Sequence, residues 1–393
     1  MSQPYSIFAN CSRHYDLEVL FEVCLNSTDP CGAVQDFETA ITIAYVDYYS
    51  SVALLSIAAL INIYCLITIV PAFRRMQNDS KKKYIFLITR CTAGLLLVIA
   101  WLLIQCIYLR FIAPTEDNFP YYVLALALNI GSTYVLLGSY VGMAGILYLG
   151  VLNPIAFNQL LSLRVVYSAV GIVFLVSIII SIPLAMFQAA IAIPTHSMKC
   201  TDASCAPLIT LINFVLVTGS LVITTVALSF VLISLLRHRK EFKKLDTVSN
   251  TSLNSGIRLL KWTLFAVVLV SAAEVIPFIF MEAKKHEGPI TGCYWFYHPT
   301  KVISEVSFAL VESCIWATAL IIDPLTNVLF DRTVSKQATN QVKWMRRSCF
   351  RLVRNVTGKF SSKRRREEEP NQVEEEEEVC EMHTTQTDII LNS

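Results

Sequence analysis

Seven stretches rich in Leu, Ile, Val and Ala alternate with polar connectors, over 44–71, 84–109, 120–150, 165–190, 207–236, 259–281 and 302–329. Each is at least as long as the roughly 20 residues a helix needs to cross a bilayer core. The pattern predicts an all-α membrane protein, a seven-transmembrane helix bundle whose two ends lie on opposite sides of the membrane. Beyond the last stretch the apolar residues Val334, Val342, Trp344 and Phe350 interleave with Lys336, Lys343, Arg346 and Arg347. That mixture reads as an amphipathic helix after span seven, lying on the anionic inner leaflet. From Ser361 a basic block gives way to Glu367–Glu369 and Glu374–Glu378, and charge runs of this kind cannot bury a core. The expected organisation is an extracellular amino-terminal segment over 1–43, a transmembrane domain over 44–330, a membrane-surface helix over 331–360 and a disordered cytoplasmic tail over 361–393.

Composition agrees with this division: 54% of the 393 residues are hydrophobic, and the mean hydropathy is +0.54. The net charge of +2 conceals an asymmetry that sets orientation. Arg74, Arg75, Lys81, Lys82 and Lys83 crowd the connector 72–83, and Arg237, Arg239, Lys240, Lys243, Lys244 and Arg258 the connector 237–258. The first 43 residues hold one Arg and no Lys, and the connectors 110–119 and 191–206 are nearly free of cations. The connectors 151–164 and 282–300 carry weaker signals that leave the pattern intact. Lys/Arg-rich loops stay in the cytoplasm, so the amino end is expected outside and the carboxyl end inside. Met1 to Phe8 lack the basic start and apolar core of a signal peptide, so span one is expected to double as the targeting signal.

Sequons at Asn10 and Asn26 fall in the segment assigned outside, where glycosylation is expected; those at Asn78, Asn250 and Asn355 fall inside. Of twelve cysteines, Cys11, Cys24, Cys31, Cys200, Cys205 and Cys293 map outside, where disulfides persist. Their pairing is open, and Cys106 is a further partner. Cys65, Cys91 and Cys314 read as small packing residues within spans, and Cys349, among cations and aromatics, as a palmitoylation site. Tyr84, Tyr121, Tyr122, Trp262, Trp295 and Tyr297 stand near span ends as an interfacial belt. Gly138 and Gly142 in span three form a small-xxx-small pair suited to close helix packing.

Ionisable residues inside lipid face the bundle interior and tend to be functional. In span seven, Glu305, Glu312, Trp316, Asp323 and Asn327 are spaced by 7, 4, 7 and 4, one helical stripe. Its upper part is expected to line a pocket open to the outside. Glu274 precedes Pro277 by three residues in span six, where the proline is expected to bend the helix. Counting from the inner span ends at ~1.5 Å per residue places Asn62, Arg90 and Asp323 at one depth, roughly 9–14 Å inside the cytoplasmic boundary. A buried Arg demands a partner. The expected arrangement is an Arg90–Asp323 pair with Asn62 and Asn327 completing the hydrogen bonds; the alternative is Arg90 snorkelling to lipid phosphates.

At these residues the chain resembles a rhodopsin-type G-protein-coupled receptor over roughly 44–350, and its divergent details resemble the nematode serpentine chemoreceptors. Asn62 matches the family's span-one asparagine. Ile146, Leu147 and Tyr148, followed by Pro154, resemble the Asp-Arg-Tyr segment and the proline beyond it. Pro277 matches the span-six proline. Asp323, Pro324 and Asn327 resemble the Asn-Pro-x-x-Tyr motif. Departures are equally plain: Leu147 stands in place of the arginine that contacts the G protein, Gly94 in place of the span-two aspartate, Val275 in place of the span-six tryptophan. No cysteine opens span three, so the family's usual disulfide to Cys200 or Cys205 cannot form as such. Ala317 stands where opsins carry the retinal lysine, and Asn129 where amine receptors carry aspartate. What the resemblance implies is a receptor whose ligand contacts include Asn129, Glu274, Glu305, Glu312 and Trp316, with a heterotrimeric G protein as cytoplasmic partner.

The expected function is therefore chemosensory: an extracellular small molecule or peptide binds, span six tilts, and a cytoplasmic cleft opens. Location at the plasma membrane, including sensory cilia, follows from the same reading. Membrane lipids are obligate partners, pairing into a homo- or hetero-dimer stays open, and nothing points to nucleic acid or a cofactor. The alternative is a secondary transporter or channel that uses the intramembrane charges; against it, no inverted repeat with broken helices is visible. An enzyme is not expected, because all six histidines lie outside the spans or at their edges and no metal-ligand set is present.

Overall fold

In a computed structural model of the chain, the described residues are 30–108, 116–193, 202–242, 248–284, 299–331, 333–343 and 346–347. The long helices are α1 (Pro30–Arg75), α2 (Asn78–Tyr108), α3 (Phe119–Leu152), α5 (Leu163–Ala192), α6 (Asp202–Phe242), α7 (Val248–Lys284) and α8 (Pro299–Phe330), here called spans one to seven. A single 3-10 turn, Glu116–Asn118, leads into α3. The short helix α4 (Pro154–Leu160) bridges spans three and four, and a surface helix, α9, covers 333–343. Each of the seven contains a segment long and apolar enough to cross a membrane. No strand occurs among the described residues.

The helices outrun the apolar stretches because their polar flanks continue the same backbone. Span one begins at Pro30, inside the segment assigned to the amino-terminal tail, and span five continues through Arg237 and Arg239 to Phe242. At the turn between spans three and four the chain is capped twice. Asn153 Oδ1 accepts from the Ala156 N–H at 3.1 Å, with Pro154 at the first helical position, where its missing N–H costs nothing. Ser162 Oγ accepts from the Val165 N–H at 3.3 Å and starts span four.

Span three is the hub, packing on spans two, four and five, while span seven packs on spans one and six and closes the ring. Glycines set two of these approaches. A Cβ on Gly142 would stand 2.2 Å from Phe86 of span two, and one on Gly138 2.6 Å from Val173 of span four. Small residues allow the backbones this close, which is where packing in lipid gains its contact energy. Large apolar side chains such as Leu60, Ile67, Ile179, Leu211 and Phe230 point outward and are more than half exposed. Lipid is the solvent such a surface requires.

The expected aromatic belt is realised in part. Tyr121 and Trp262 are exposed, but Tyr84 and Tyr122 are buried at 4% and 5%, so they serve the interior instead; Trp295 and Tyr297 lie outside the described residues. Cys65, Cys91 and Cys314 carry free thiols within the bundle. Cys205 is disulfide-bonded, and its partner's side chain is outside the described set.

Candidate functional site

In the half of the bundle nearest the basic connectors, span two contributes Arg90, span three Tyr140 and Met143, and span seven Asp323. The Arg90 side chain is fully buried, and its Nη1 lies 2.9 Å from Asp323 Oδ1. Nη2 lies 3.0 Å from the Met143 sulfur, and the guanidinium rests over the Tyr140 ring at 4.8 Å from its centroid. Desolvating two ions costs several kcal/mol each, and that cost is offset only where further contacts surround the pair. Here a carboxylate, an aromatic face and a polarizable sulfur together replace the water shell. Arg90 Nε finds no partner among the described residues. A cavity of about 10 Å³ borders Asn62, Arg90, Tyr140 and Asp323, the size of a single water site.

The two asparagines do something other than expected. Asn62 Nδ2 donates to the carbonyls of Ala58 at 2.8 Å and Leu320 at 3.1 Å, tying span one to the backbone of span seven. Asn327 Nδ2 donates to the Asp323 carbonyl at 2.7 Å. Neither completes the ion pair. Pro324 explains part of this, since a proline in a helix leaves the carbonyl four residues earlier without its usual N–H. That carbonyl belongs to Leu320, and Asn62 satisfies it. Gly94 makes the contact feasible, because a Cβ there would lie 3.2 Å from Asn62 Oδ1. Tyr140 and Met143 were illegible in the sequence, as neither breaks the apolar pattern of span three.

Of the other expected site residues, Trp316 is buried at 4% exposure and Glu312 is half-buried and engaged with a neighbour. The span-seven stripe thus faces inward from Glu312 to Asn327. Asn129 is half-buried, and its Oδ1 has no partner among the described residues. Leu147 packs into the core, whereas Tyr148 is 40% exposed. Glu274, Pro277 and Glu305 lie on helical backbone, with side chains outside the described set; Asn10, Asn26 and Cys349 lie outside the described residues altogether.

A second cluster, which sequence reasoning missed, joins span two to the surface helix. Asp331 follows span seven directly and pairs with Lys83. The Tyr84 hydroxyl donates to its Oδ1 at 2.6 Å, and the same oxygen accepts from the N–H groups of Thr333 at 3.0 Å and Val334 at 3.3 Å. Asp331 is the N-cap of α9. Burial pushes its carboxyl up, but the Lys83 charge and the hydrogen bonds from Lys83, Tyr84 and Val334 outweigh it and hold the group below its ordinary value. The signal was present: an Asp opening the predicted amphipathic run. Nearby, the Ser255 hydroxyl of span six donates to the Phe330 carbonyl at 2.6 Å. Among the described residues no His, Cys, Asp and Glu cluster could hold a metal.

Seven apolar helices closed around a buried charge pair define an integral membrane protein of the serpentine type, and comparison with known proteins makes the class specific. The chain is 74% identical over 352 residues to a Caenorhabditis elegans protein provisionally named G-protein coupled receptor-like protein B0244.6, covering 90% of this chain and 94% of that one. It is 32% identical over 337 residues to B0244.5, provisionally named a G-protein coupled receptor of the same organism, covering 84% and 91%. With B0244.10, similarly named, the identity is 30% over 350 residues, 88% of this chain and 60% of the other. No family model matches the chain. The chain belongs to this family of G-protein-coupled receptors, as a multi-pass membrane protein with seven helices.

Proposed function

We propose that this receptor is chemosensory: it binds an extracellular small molecule or peptide between spans three, six and seven, and signals through a heterotrimeric G protein in the cytoplasm. The observation that carries this reading is the inward stripe of span seven. It runs continuously from half-buried Glu312 past Trp316 to the Arg90–Asp323 pair, so one helix joins the polar side chain of Glu312 to the buried charges. Asn129, whose Oδ1 has no partner among the described residues, supports a polar ligand contact from span three. The amino end faces outside by the charge rule, at the plasma membrane of the sensing cell and its sensory cilia. A ligand shifts such a bundle only through unequal affinity for its states, and span six, tied to span seven through Ser255 and Phe330, is the element whose release opens the cytoplasmic face.

The test is a screen of secreted metabolites against the receptor expressed in cells, read by second messenger and then by nucleotide exchange on purified G protein. Ligand-dependent exchange supports the reading. If instead the protein in sealed vesicles gives substrate-dependent flux and no exchange, the transport alternative suggested by its intramembrane charges replaces it.

A further inference from the structure

A cleft of about 320 Å³ opens between the end of span one and the surface helix. That is the small end of the range of about 300–1,000 Å³ for small-molecule sites. Arg75 and Met76 line one wall, and Thr333, Lys336, Gln337 and Asn340 the other. No carboxylate lines it among the described residues. Arg75 and Lys336 are both exposed, and neither forms an ion pair among the described residues. The nearby Asp331 is already occupied by Lys83 and Tyr84. Two cations with no ion-pair partner among the described residues therefore line one cleft, with amide and hydroxyl donors beside them, and this donor set selects an oxyanion.

Position narrows the oxyanion further. Arg75 is the last residue of the apolar span. The surface helix is bound to the same span, with Thr68 Oγ1 donating to Gln341 Oε1 at 2.9 Å and Gln341 Nε2 donating to the Ile67 carbonyl at 3.2 Å. Val334 is fully buried against Cys65 and Ile69. The cleft is thus fixed at the bilayer boundary, at the level of lipid phosphates. Two cations match the roughly −1.5 to −2 charge of a phosphomonoester at pH 7 better than the single charge of a diester.

We propose that this cleft binds the phosphomonoester headgroup of an anionic membrane lipid. Arg75 clamps the phosphate through its planar fork, Lys336 supplies the second charge, and Asn340 and Gln337 donate to the remaining oxygens. The site is separate from any extracellular ligand pocket. It rests on the inside-facing topology only for the choice of leaflet.

The full chain, purified in detergent micelles, is titrated with fluorescent phosphatidic acid and, in parallel, with phosphatidylserine. Phosphatidic acid is expected to bind the more tightly; equal affinity overturns the monoester assignment. The variants Arg75→Gln and Lys336→Gln each weaken phosphatidic acid binding about fivefold, and the double variant about thirtyfold, the scale of a surface cation acting on anionic lipid. Exposed Asn340→Glu, which leaves both cations and the helix packing in place, weakens it similarly. The charge-matched control Arg164→Gln/Arg258→Gln, on exposed residues elsewhere, retains wild-type binding. Full binding by the double and Asn340→Glu variants, or an equal loss in the control, overturns the proposal. Excess glycerol phosphate fails to displace the lipid; displacement at equal concentration makes free phosphate the ligand and overturns the lipid assignment. Binding in micelles does not depend on orientation, so these outcomes stand apart from any test of topology.

Discussion

Arg90 shows why one residue type fits one place. A guanidinium can pair edge-on with Asp323 while its face lies on Tyr140, and a lysine ammonium cannot do both. Arg90→Lys is therefore expected to behave as a disruptive change. Removing one partner of a buried pair costs about 3–5 kcal/mol, whereas replacing both with apolar groups approaches neutrality. Asp323→Ala should accordingly lose cell-surface expression and thermal stability in detergent, and adding Arg90→Leu should restore much of both. A double variant no better than Asp323→Ala would show that the loss does not come from leaving Arg90 buried and unpaired. At Asp331 the sign of the pH dependence follows from its lowered folded value. Its contribution is fully present above the unfolded carboxyl value of about 3.9 and is lost only as pH falls through the still lower folded value. Hydrogen exchange over 333–343 should thus be insensitive to this group between about pH 5 and 8.

At the scale of elements, two contacts fix how helices meet. Gly142 lies so close to buried Phe86 that any side chain must push the ring aside, and overpacking of this kind costs about 1–3 kcal/mol. Gly142→Ala should lower the thermal midpoint, and pairing it with Phe86→Leu should recover part of the loss. The surface helix depends on its cap. Asp331→Ala removes one that is worth about 0.5–2 kcal/mol and strands Lys83, so amide exchange over 333–343 should rise while that of span three is unchanged. The number and order of the helices were legible in the sequence because lipid imposes length and apolarity on every span. The Arg90–Asp323 match was legible because depth can be counted along a helix. The roles of Asn62 and Asn327 were not, since they answer to backbone carbonyls around Pro324, which carry no sequence signature. Tyr84 looked interfacial by position, yet its hydroxyl turns inward to Asp331.

At the scale of the whole molecule, the uneven distribution of cations among the connectors predicts a vectorial outcome. Epitope tags on the two ends should be reached from opposite sides, the amino-terminal one on intact cells and the carboxyl-terminal one only after permeabilisation; access to both from one side would refute the topology. Family membership rests on overall likeness to the C. elegans relatives. Contacts to a G protein are harder to read from the chain, because Leu147 packs against the core where the resemblance leads one to expect an arginine.

The distance in sequence between Arg90 and its counter-ion also bears on biosynthesis. Asp323 follows it by 233 residues, so at about 5–20 residues per second a ribosome needs roughly 10–50 s to supply it. Through that interval the nascent second helix holds an unmatched cation, and the translocon or a chaperone must shelter it. A ribosome that stalls before the final helix yields a chain that quality control can recognise by charge alone.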